Sequence, residues 1–564
     1  MAPIAFHAPT GIGTGILALA VAAAPANAQD VYTAPLAPAA ATAADSACDY
    51  DTLASHSTVV TEWNAVALRA VCLDKPWPTV VSRSLFVVHA SIYDSWAAQV
   101  AGARTYAFEG SAPSLGDADL HEAISHAAHL ALCHEFPELT ALFDAHLAAL
   151  GHEKGADTAG AHHGRAAARA VLAAREGDGS RAASGFLPSI AHEAANAPDA
   201  PLAMLDPNRW QPLIVPTGSL IDDKAGGAPT IDLDDPGSYA VQQFITPHWG
   251  EVRPFALSSG DVLRPPAPPM HGSQEPYVDA LGRRSTSHQA WLDQTEAVMR
   301  AQAALTDRGK VIAEYWADGP RSATPPGHWN LFAQMVSLRD DHDAADDARL
   351  FLALNAAMMD AAIATWDAKA AYDYVRPATA VRFLYRGQTI QGWRGPDLGT
   401  GPMPGEAWRP YQDPTFVTPA FAEYPSGHST FSAAGAEVLL RFTGSDAFHD
   451  AGTIVGDVDD DGRLEAMGLH RVHPEGGLFE RGMPTETVEL RWNTFSDAAD
   501  EAGYSRIHGG IHFQDGDLRG RTLGRQIGTL AFERARRMWG AMQGEPRRKG
   551  TDVASRAAPG QVGP

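Results

Sequence analysis

Apolar residues recur every three or four positions from Trp63 to Leu73, Leu85 to Val100 and His121 to Leu132, with alanine filling the gaps. That period puts the apolar groups on one face of a helix, so each stretch predicts an amphipathic α-helix. Ala-rich segments at Leu142 to Leu150 and Ala166 to Arg175 extend the pattern, and strand-like alternation is scarce. From about residue 186 to 285 the periodicity lapses into Pro, Gly, Asp and Trp, as in Pro247-His248-Trp249-Gly250 and Pro265-Pro266-Ala267-Pro268-Pro269. Such a stretch predicts long irregular connections, which are often functional. Helical spacing returns over Gln289 to Tyr315, Ala344 to Tyr374, Ser429 to Phe442 and Leu518 to Met538, and Gly444 falls where a C-cap glycine belongs. The pattern predicts an all-α protein.

The ends read differently. Ile12 to Ala24 is apolar and small, and Ala26-Asn27-Ala28 offers a small-x-small cleavage site, although no Lys or Arg precedes it. These features predict an exported protein, periplasmic or secreted. The chain divides into a signal peptide at 1–28, a linker at 29–56, an N-terminal helical domain at 57–185, a Pro/Gly-rich connecting region at 186–285, a C-terminal helical domain at 286–542 and a flexible tail at 543–564. Phe351 to Trp366 comes closest to a membrane span, but Asn355 and Asp360 interrupt it, which favours a buried bundle helix. Three cysteines are too few for a disulfide scaffold. A Cys48–Cys72 bridge and three unpaired thiols both remain open.

Composition changes the picture in one respect. A net charge of −24 repels nucleic acid and anionic membranes, so neither is an expected partner. Against that background a few cations gathered round an anion stand out. Lys369 and Arg376 are seven residues apart, close to two helical turns, which places them on one face about 10 Å apart. Pro377 puts Arg376 at the helix end. Tyr424-Pro425-Ser426-Gly427-His428 leads into a helical pattern, and a helix N-terminus offers free N–H groups to an anion. Ser426 adds a hydroxyl, Gly427 allows close approach, and His428 can exchange protons near neutral pH. In Ser505-Arg506-Ile507-His508-Gly509-Gly510-Ile511-His512 the glycines predict a turn, with His512 near the start of the last helix.

The order Lys-x6-Arg-Pro, Pro-Ser-Gly-His, Ser-Arg-x5-His resembles the signature shared by vanadium-dependent haloperoxidases, the bacterial chloroperoxidase type included, and type-2 phosphatidic acid phosphatases. The resemblance implies two four-helix-type bundles with long irregular connecting loops, the haloperoxidase/acid-phosphatase-like domain being residues 286–542. It implies vanadate as cofactor, with His512 as the covalent ligand. Lys369, Arg376, Ser426, Gly427 and Arg506 would hold the oxygens, and His428 would move protons. Hydrogen peroxide would then oxidise chloride or bromide to a hypohalous species that halogenates a small organic substrate. The alternative is a secreted acid phosphatase in which His512 forms a phosphohistidine and His428 protonates the leaving group. The length of the chain, the lack of spanning helices and the long gap between His428 and Ser505 favour the haloperoxidase.

Three further positions come from the same resemblance. Trp366 and Phe421 match the chloroperoxidase type, and an apolar ring at Phe421, where bromoperoxidases often place a histidine, suggests chloride competence. Asp318, in Tyr315-Trp316-Ala317-Asp318-Gly319, would pair with Arg506. Family members often carry an Asp four residues after the ligand histidine, but here that position is Gly516, between Asp515 and Asp517. The partner of His512 is therefore open.

Two metal signals lie elsewhere. Asp457, Asp459 and Asp461 with Gly462 resemble the start of an EF-hand loop, but Gly468 replaces the closing glutamate, leaving an acidic turn or a weak Ca²⁺ site. His126, His129 and Cys133 share a helix face at metal-ligand spacing, for which packing is the simpler reading. Nothing in the sequence fixes the oligomeric state, and a homo-oligomer stays open.

Overall fold

The computed structural model describes residue 48 and residues 58–110, 113–198, 204–217, 231, 235, 237–449 and 468–540. The expected signal peptide at 1–28, nearly all of the expected linker, the expected 543–564 tail and the acidic stretch at Asp457, Asp459 and Asp461 lie outside the described residues. Thirteen α-helices make up the described fold: α1 (Val59–Asp74), α2 (Pro78–Ala97), α3 (Asp117–Glu135), α4 (Thr140–Ala149), α5 (Ala159–Arg175), α6 (Ser287–Ala303), α7 (Asp307–Tyr315), α8 (Thr324–Asp340), α9 (Ala344–Tyr372), α10 (Pro377–Leu384), α11 (Gly427–Thr443), α12 (Phe495–His508) and α13 (Gln514–Arg536). The strands form four small antiparallel hairpins, none joined to another among the described residues. The fold is all-α.

The long helix α9 is the axis of the molecule. It is apolar all round because it is packed all round, and 94% of its most apolar window is buried. Asp343 caps its N-terminus by accepting the N–H groups of Ala345 (2.9 Å) and Asp346 (2.8 Å). On one side α9 packs against α2, and on the other against α11 and α13. Most buried apolar residues from Val60 in α1 to Trp539 after α13 form one cluster, beside two smaller ones, around Trp291 and Trp408 and around Trp393 and Tyr411.

Two buried aspartates tie irregular segments to this axis. Asp94 of α2 accepts the N–H groups of Ala107 and Phe108 (both 2.8 Å) and of Tyr106 (2.5 Å). Asp360 of α9 does the same for Phe255 (2.6 Å), Ala256 (2.6 Å) and Leu257 (3.1 Å). Each supplies oxygens to backbone donors that a buried loop would otherwise leave unpaired. Asp360, one of the two residues that interrupt the Phe351–Trp366 run, is thus the anchor of the connecting region.

The predicted Gln289–Tyr315 helix is two helices, broken between Ala303 and Asp307, where Thr306 caps α7 by accepting the Gly309 N–H at 3.2 Å. The α8 helix is an addition to the sequence reading. Its Pro325-Pro326 pair sits in the first turn, where proline's missing donor costs nothing, and it therefore starts the helix. Cys48 and Cys72 are disulfide-bonded, with Cα atoms 5.7 Å apart, and Cys133 is free. His129 Nε2 lies 2.7 Å from Asp144 Oδ1, and Asp144 also pairs with Lys154, so the α3 histidine is held by a carboxylate.

Candidate functional site: a buried cation cage

The site forms where α9, α11, α12 and α13 meet. Close approach of α11 and α13 comes from a glycine stripe, Gly520, Gly524 and Gly528, one turn apart on α13. A Cβ there would lie 2.8, 2.2 and 2.7 Å from the carbonyl oxygens of Ser426, Thr430 and Ala434. Any larger residue would push the two helices apart.

Lys369 lies in the last turn of α9. Asp373 then takes a left-handed conformation (φ 47°) and ends the helix. Arg376 therefore stands on no helical face shared with Lys369. It is the residue before α10, in extended conformation (φ −90°, ψ 153°), as a residue preceding proline prefers. The expected two-turn spacing thus gives way to a chain reversal, and both cations still reach one place. Lys369 Nζ donates to the carbonyls of Ala422 (2.9 Å) and Glu423 (2.7 Å). Arg376 donates to the carbonyls of Phe421 (2.8 Å from Nε) and Ile511 (2.9 Å from Nη1). Segment 421–423 is the common anchor. The Phe421 ring lies 5.0 Å from both Lys369 Nζ and Arg376 Cζ, and Trp366 packs beside it with centroids 4.7 Å apart.

Ser426 is the N-cap of α11, its Oγ accepting the Ser429 N–H at 3.3 Å. A Cβ on Gly427 would meet nothing closer than 3.6 Å, so packing within the protein does not demand glycine there. Gly427 lines the cavity that Trp366, Phe421, His428, Arg506 and His512 also line. Arg506, in the last turn of α12, donates from Nη2 to Ala313 O at 2.9 Å. Gly510 (φ 72°) turns the chain after α12, and His512 follows two residues before α13.

Lys369 is 0% exposed, Arg376 and Arg506 1% and His512 2%. Burial of these groups together shifts the titrations of Lys369, His428, Arg506 and His512. Burial and the Arg376 charge hold the Lys369 ammonium well below its usual range. Arg506 is lowered to about 10 by burial, with Asp318 opposing. Burial, reinforced by the charges of Arg376 and Lys369, pushes His512 well below the ordinary histidine range. His428 falls to about 3, from burial and then Arg506. Both imidazoles are neutral at pH 7. Three cations in a dry pocket are costly unless an anion joins them.

Asp318 is close enough to Arg506 to raise its pKa, but its hydrogen bond goes to His328, Oδ1 to Nδ1 at 3.0 Å. The direct ion pair expected from the sequence gives way because His328 lies between Tyr315 and Asp318, bonded to both. Asp515 and Asp517 do not reach His512 either. Asp515 accepts from Tyr277, Gln294 and the Ala280 N–H, and Asp517 from Ser429 and Arg521. The partner of His512 is Glu423, whose Oε1 lies 2.7 Å from Nδ1. Sequence reasoning missed it because Glu423 precedes His512 by 89 residues and stands outside the three signature segments.

The donor set suits a tetrahedral oxyanion. The cage gathers lysine and arginine donors, a helix N-terminus and a histidine Nε2 that Arg376 Nη1 approaches at 3.1 Å. His428 Nε2, by contrast, is buried with no partner, an orphan that an oxyanion would satisfy. Residues 349–541 match the family model of the VCPO second helical-bundle domain. The stretch from α9 to α13 is thus similar to a vanadium haloperoxidase domain. Among curated relatives of this family, the vanadium chloroperoxidase of Curvularia inaequalis is 30% identical over 145 residues, 23% of this chain and 22% of that protein. The matched stretch is thus under a quarter of the relative's length. Among solved haloperoxidase structures, a holo-type bacterial vanadium-dependent chloroperoxidase aligns with TM-score 0.67 and 23% identity, over 82% of this chain and 93% of that one. A bacterial vanadium-dependent iodoperoxidase aligns with TM-score 0.57 and 21% identity, over 86% and 96%. At these identities the structures share the fold.

Proposed function

We propose that the cage binds orthovanadate and that the protein is an exported haloperoxidase, using hydrogen peroxide to oxidise chloride or bromide for halogenation of a small organic substrate. The observation that carries the reading is one cavity lined by Arg506, His512 and His428, whose Nε2 is unpartnered, with Arg376 Nη1 3.1 Å from His512 Nε2 and Lys369 Nζ 5.0 Å from the lining Phe421 ring. Vanadate in this cage supplies a Lewis acid that makes a peroxide oxygen electrophilic.

The residues divide the remaining work. His512 offers Nε2 as ligand. Lys369, Arg376 and Arg506 neutralise the oxyanion's charge, and the Gly427 N–H and Ser426 hydroxyl add neutral donors at the α11 N-terminus. His428, neutral and unpartnered at Nε2, takes and returns the proton of the incoming peroxide. Trp366 and Phe421 wall the cavity with apolar surface, which lowers the local dielectric and strengthens the fixed charges. The Cys48–Cys72 bridge supports export, since such bonds persist in oxidising compartments.

Purified protein with peroxide and halide tests the reading on a dimedone-type reporter, before and after orthovanadate loading. Vanadate-dependent halogenation that is lost in His512→Ala supports it. Absence of halogenation together with efficient phosphate-ester hydrolysis overturns it in favour of a phosphatase, in which the same cage holds a phosphoryl group.

A further inference from the structure

We propose that Glu423 is the positioning residue for His512, fixing the ring as its Nδ1–H tautomer, and that residue 516 is glycine in order to leave room for that carboxylate. The proposal rests on the oxyanion reading above and gives its cage a specific internal support.

Three contacts fix the imidazole. Arg376 Nη1 lies 3.1 Å from His512 Nε2. A guanidinium is only a donor, so Nε2 must carry the lone pair and the ring proton must sit on Nδ1. Nδ1 then donates to Glu423 Oε1 at 2.7 Å. The same oxygen accepts the Phe513 N–H at 3.0 Å, so one carboxylate oxygen is shared between the imidazole and the backbone N–H that follows it. Glu423 is itself 0% exposed, its N–H donates to Tyr374 O (3.0 Å), and its carbonyl accepts from Lys369. One residue therefore connects the anion-binding lysine to the histidine.

Gly516 completes the argument. A Cβ there would lie 2.1 Å from Glu423 Oε1 and 2.9 Å from Oε2, far inside van der Waals contact. Neither side can yield, because the Gly516 carbonyl accepts the Ser426 N–H at 2.9 Å and the Glu423 side chain is enclosed. Any side chain at 516 and a glutamate at 423 thus compete for one volume beside Nδ1. Position 516 is where the signature resemblance led to an aspartate. The chain has a carboxylate in that volume, delivered from the segment before Pro-Ser-Gly-His instead of from α13. Metal-binding histidines depend on such partners for ring aim and ligand basicity.

The test is isothermal titration of metal-free protein with orthovanadate and, separately, with inorganic phosphate, for wild type, Glu423→Ala, Glu423→Gln, Gly516→Asp and the double variant Glu423→Ala/Gly516→Asp. Nitrogen-15 shifts of His512 report its tautomer. The proposal expects Glu423→Ala to weaken orthovanadate roughly 10- to 100-fold and to release the tautomer. Glu423→Gln, which keeps an acceptor oxygen, should lose less, and Gly516→Asp alone should be destabilised by the clash. The double variant should recover affinity to within a few-fold of wild type and restore the Nδ1–H form, a rescue that a merely structural glutamate does not give. Should Glu423→Ala fail to fold, the tautomer in wild type and in Glu423→Gln carries the test, and an Nε2–H ring in wild type overturns the proposal. Wild-type affinity and tautomer retained in folded Glu423→Ala, or no rescue in a folded double variant, overturn it as well. Binding of neither anion by wild type is a separate result: it removes the oxyanion reading itself and this proposal with it.

Discussion

The ring of Phe421 lies 4.7 Å from that of Trp366, inclined by 51°, and both line the cavity that Arg506, His428 and His512 also reach. Because Phe421 also faces Lys369 and Arg376 at 5.0 Å, it is the apolar residue best placed to affect a small anion entering beside them. Replacing it by histidine adds a hydrogen-bonding group and a titratable ring to that wall. Phe421→His is expected to lower the chloride-to-bromide ratio of kcat/KM by about tenfold, equivalent to about 1.4 kcal/mol of discrimination. Parallel halide titrations of the vanadate-loaded protein check this, and an unchanged ratio removes Phe421 from halide selection.

His428 should separate binding from turnover. Its Nε2 is unpartnered, whereas the cage's charge comes from Lys369, Arg376 and Arg506. His428→Ala is expected to cost about 10²- to 10⁴-fold in kcat, the range for a positioned proton-transfer group, with oxyanion affinity falling far less. Steady-state kinetics beside vanadate titration distinguish the two quantities. Equal loss in both assigns His428 to binding alone.

The proton balance of anion binding follows from the same histidine. Burial and Arg506 hold its pKa at about 3, so the anion-free protein carries it neutral at pH 6–7. A bound oxyanion supplies the negative charge that favours the imidazolium and raises that pKa. Binding between pH 5 and 7 is therefore expected to take up protons, and affinity should rise as pH falls. Titration calorimetry in buffers of different ionisation enthalpy measures the uptake, and proton release contradicts the assignment.

How much of this was legible in the chain depends on the length scale of each signal. Lys369, Arg376, Ser426, Gly427, His428, Arg506 and His512 stand out because each signature segment is short and ordered; the structure places Gly427, His428, Arg506 and His512 on one cavity, with Arg376 bonded to His512 behind it. The helical-face argument for Lys369 and Arg376 failed on Asp373, which ends α9 in a left-handed turn. Periodicity could not show α8, since that helix is buried on nearly every face, and a Pro-Pro pair reads as a break when it is a start. Glu423 and the Asp318–His328 bond were out of reach because they depend on which distant segments pack side by side. The glycine at 516 was visible as a departure, and only its proximity to Glu423 explains it.

Asp360 gives a prediction on stability. It holds three loop N–H groups on α9, and burial raises its pKa to about 6. Asp360→Ala should cost about 2–4 kcal/mol by leaving those donors unpaired, measured by denaturant unfolding. The pH sign is set by the raised pKa. The carboxyl's contribution is fully present below the unfolded value near 3.8 and is lost as pH rises through about 6. Asp360→Asn cannot ionise, so the stability gap between wild type and this variant should narrow by about 1–3 kcal/mol between pH 4 and 7.5. A gap that widens over that range contradicts the buried-carboxyl account.

The central claim is that these side chains hold an oxyanion, and a crystal structure of the protein soaked with orthovanadate examines it most directly. The account predicts vanadium bonded to Nε2 of His512, with oxygens held by Lys369, Arg376 and Arg506 and the His428 ring facing the anion. An empty cage under saturating orthovanadate, or an anion bound outside these residues, would contradict it.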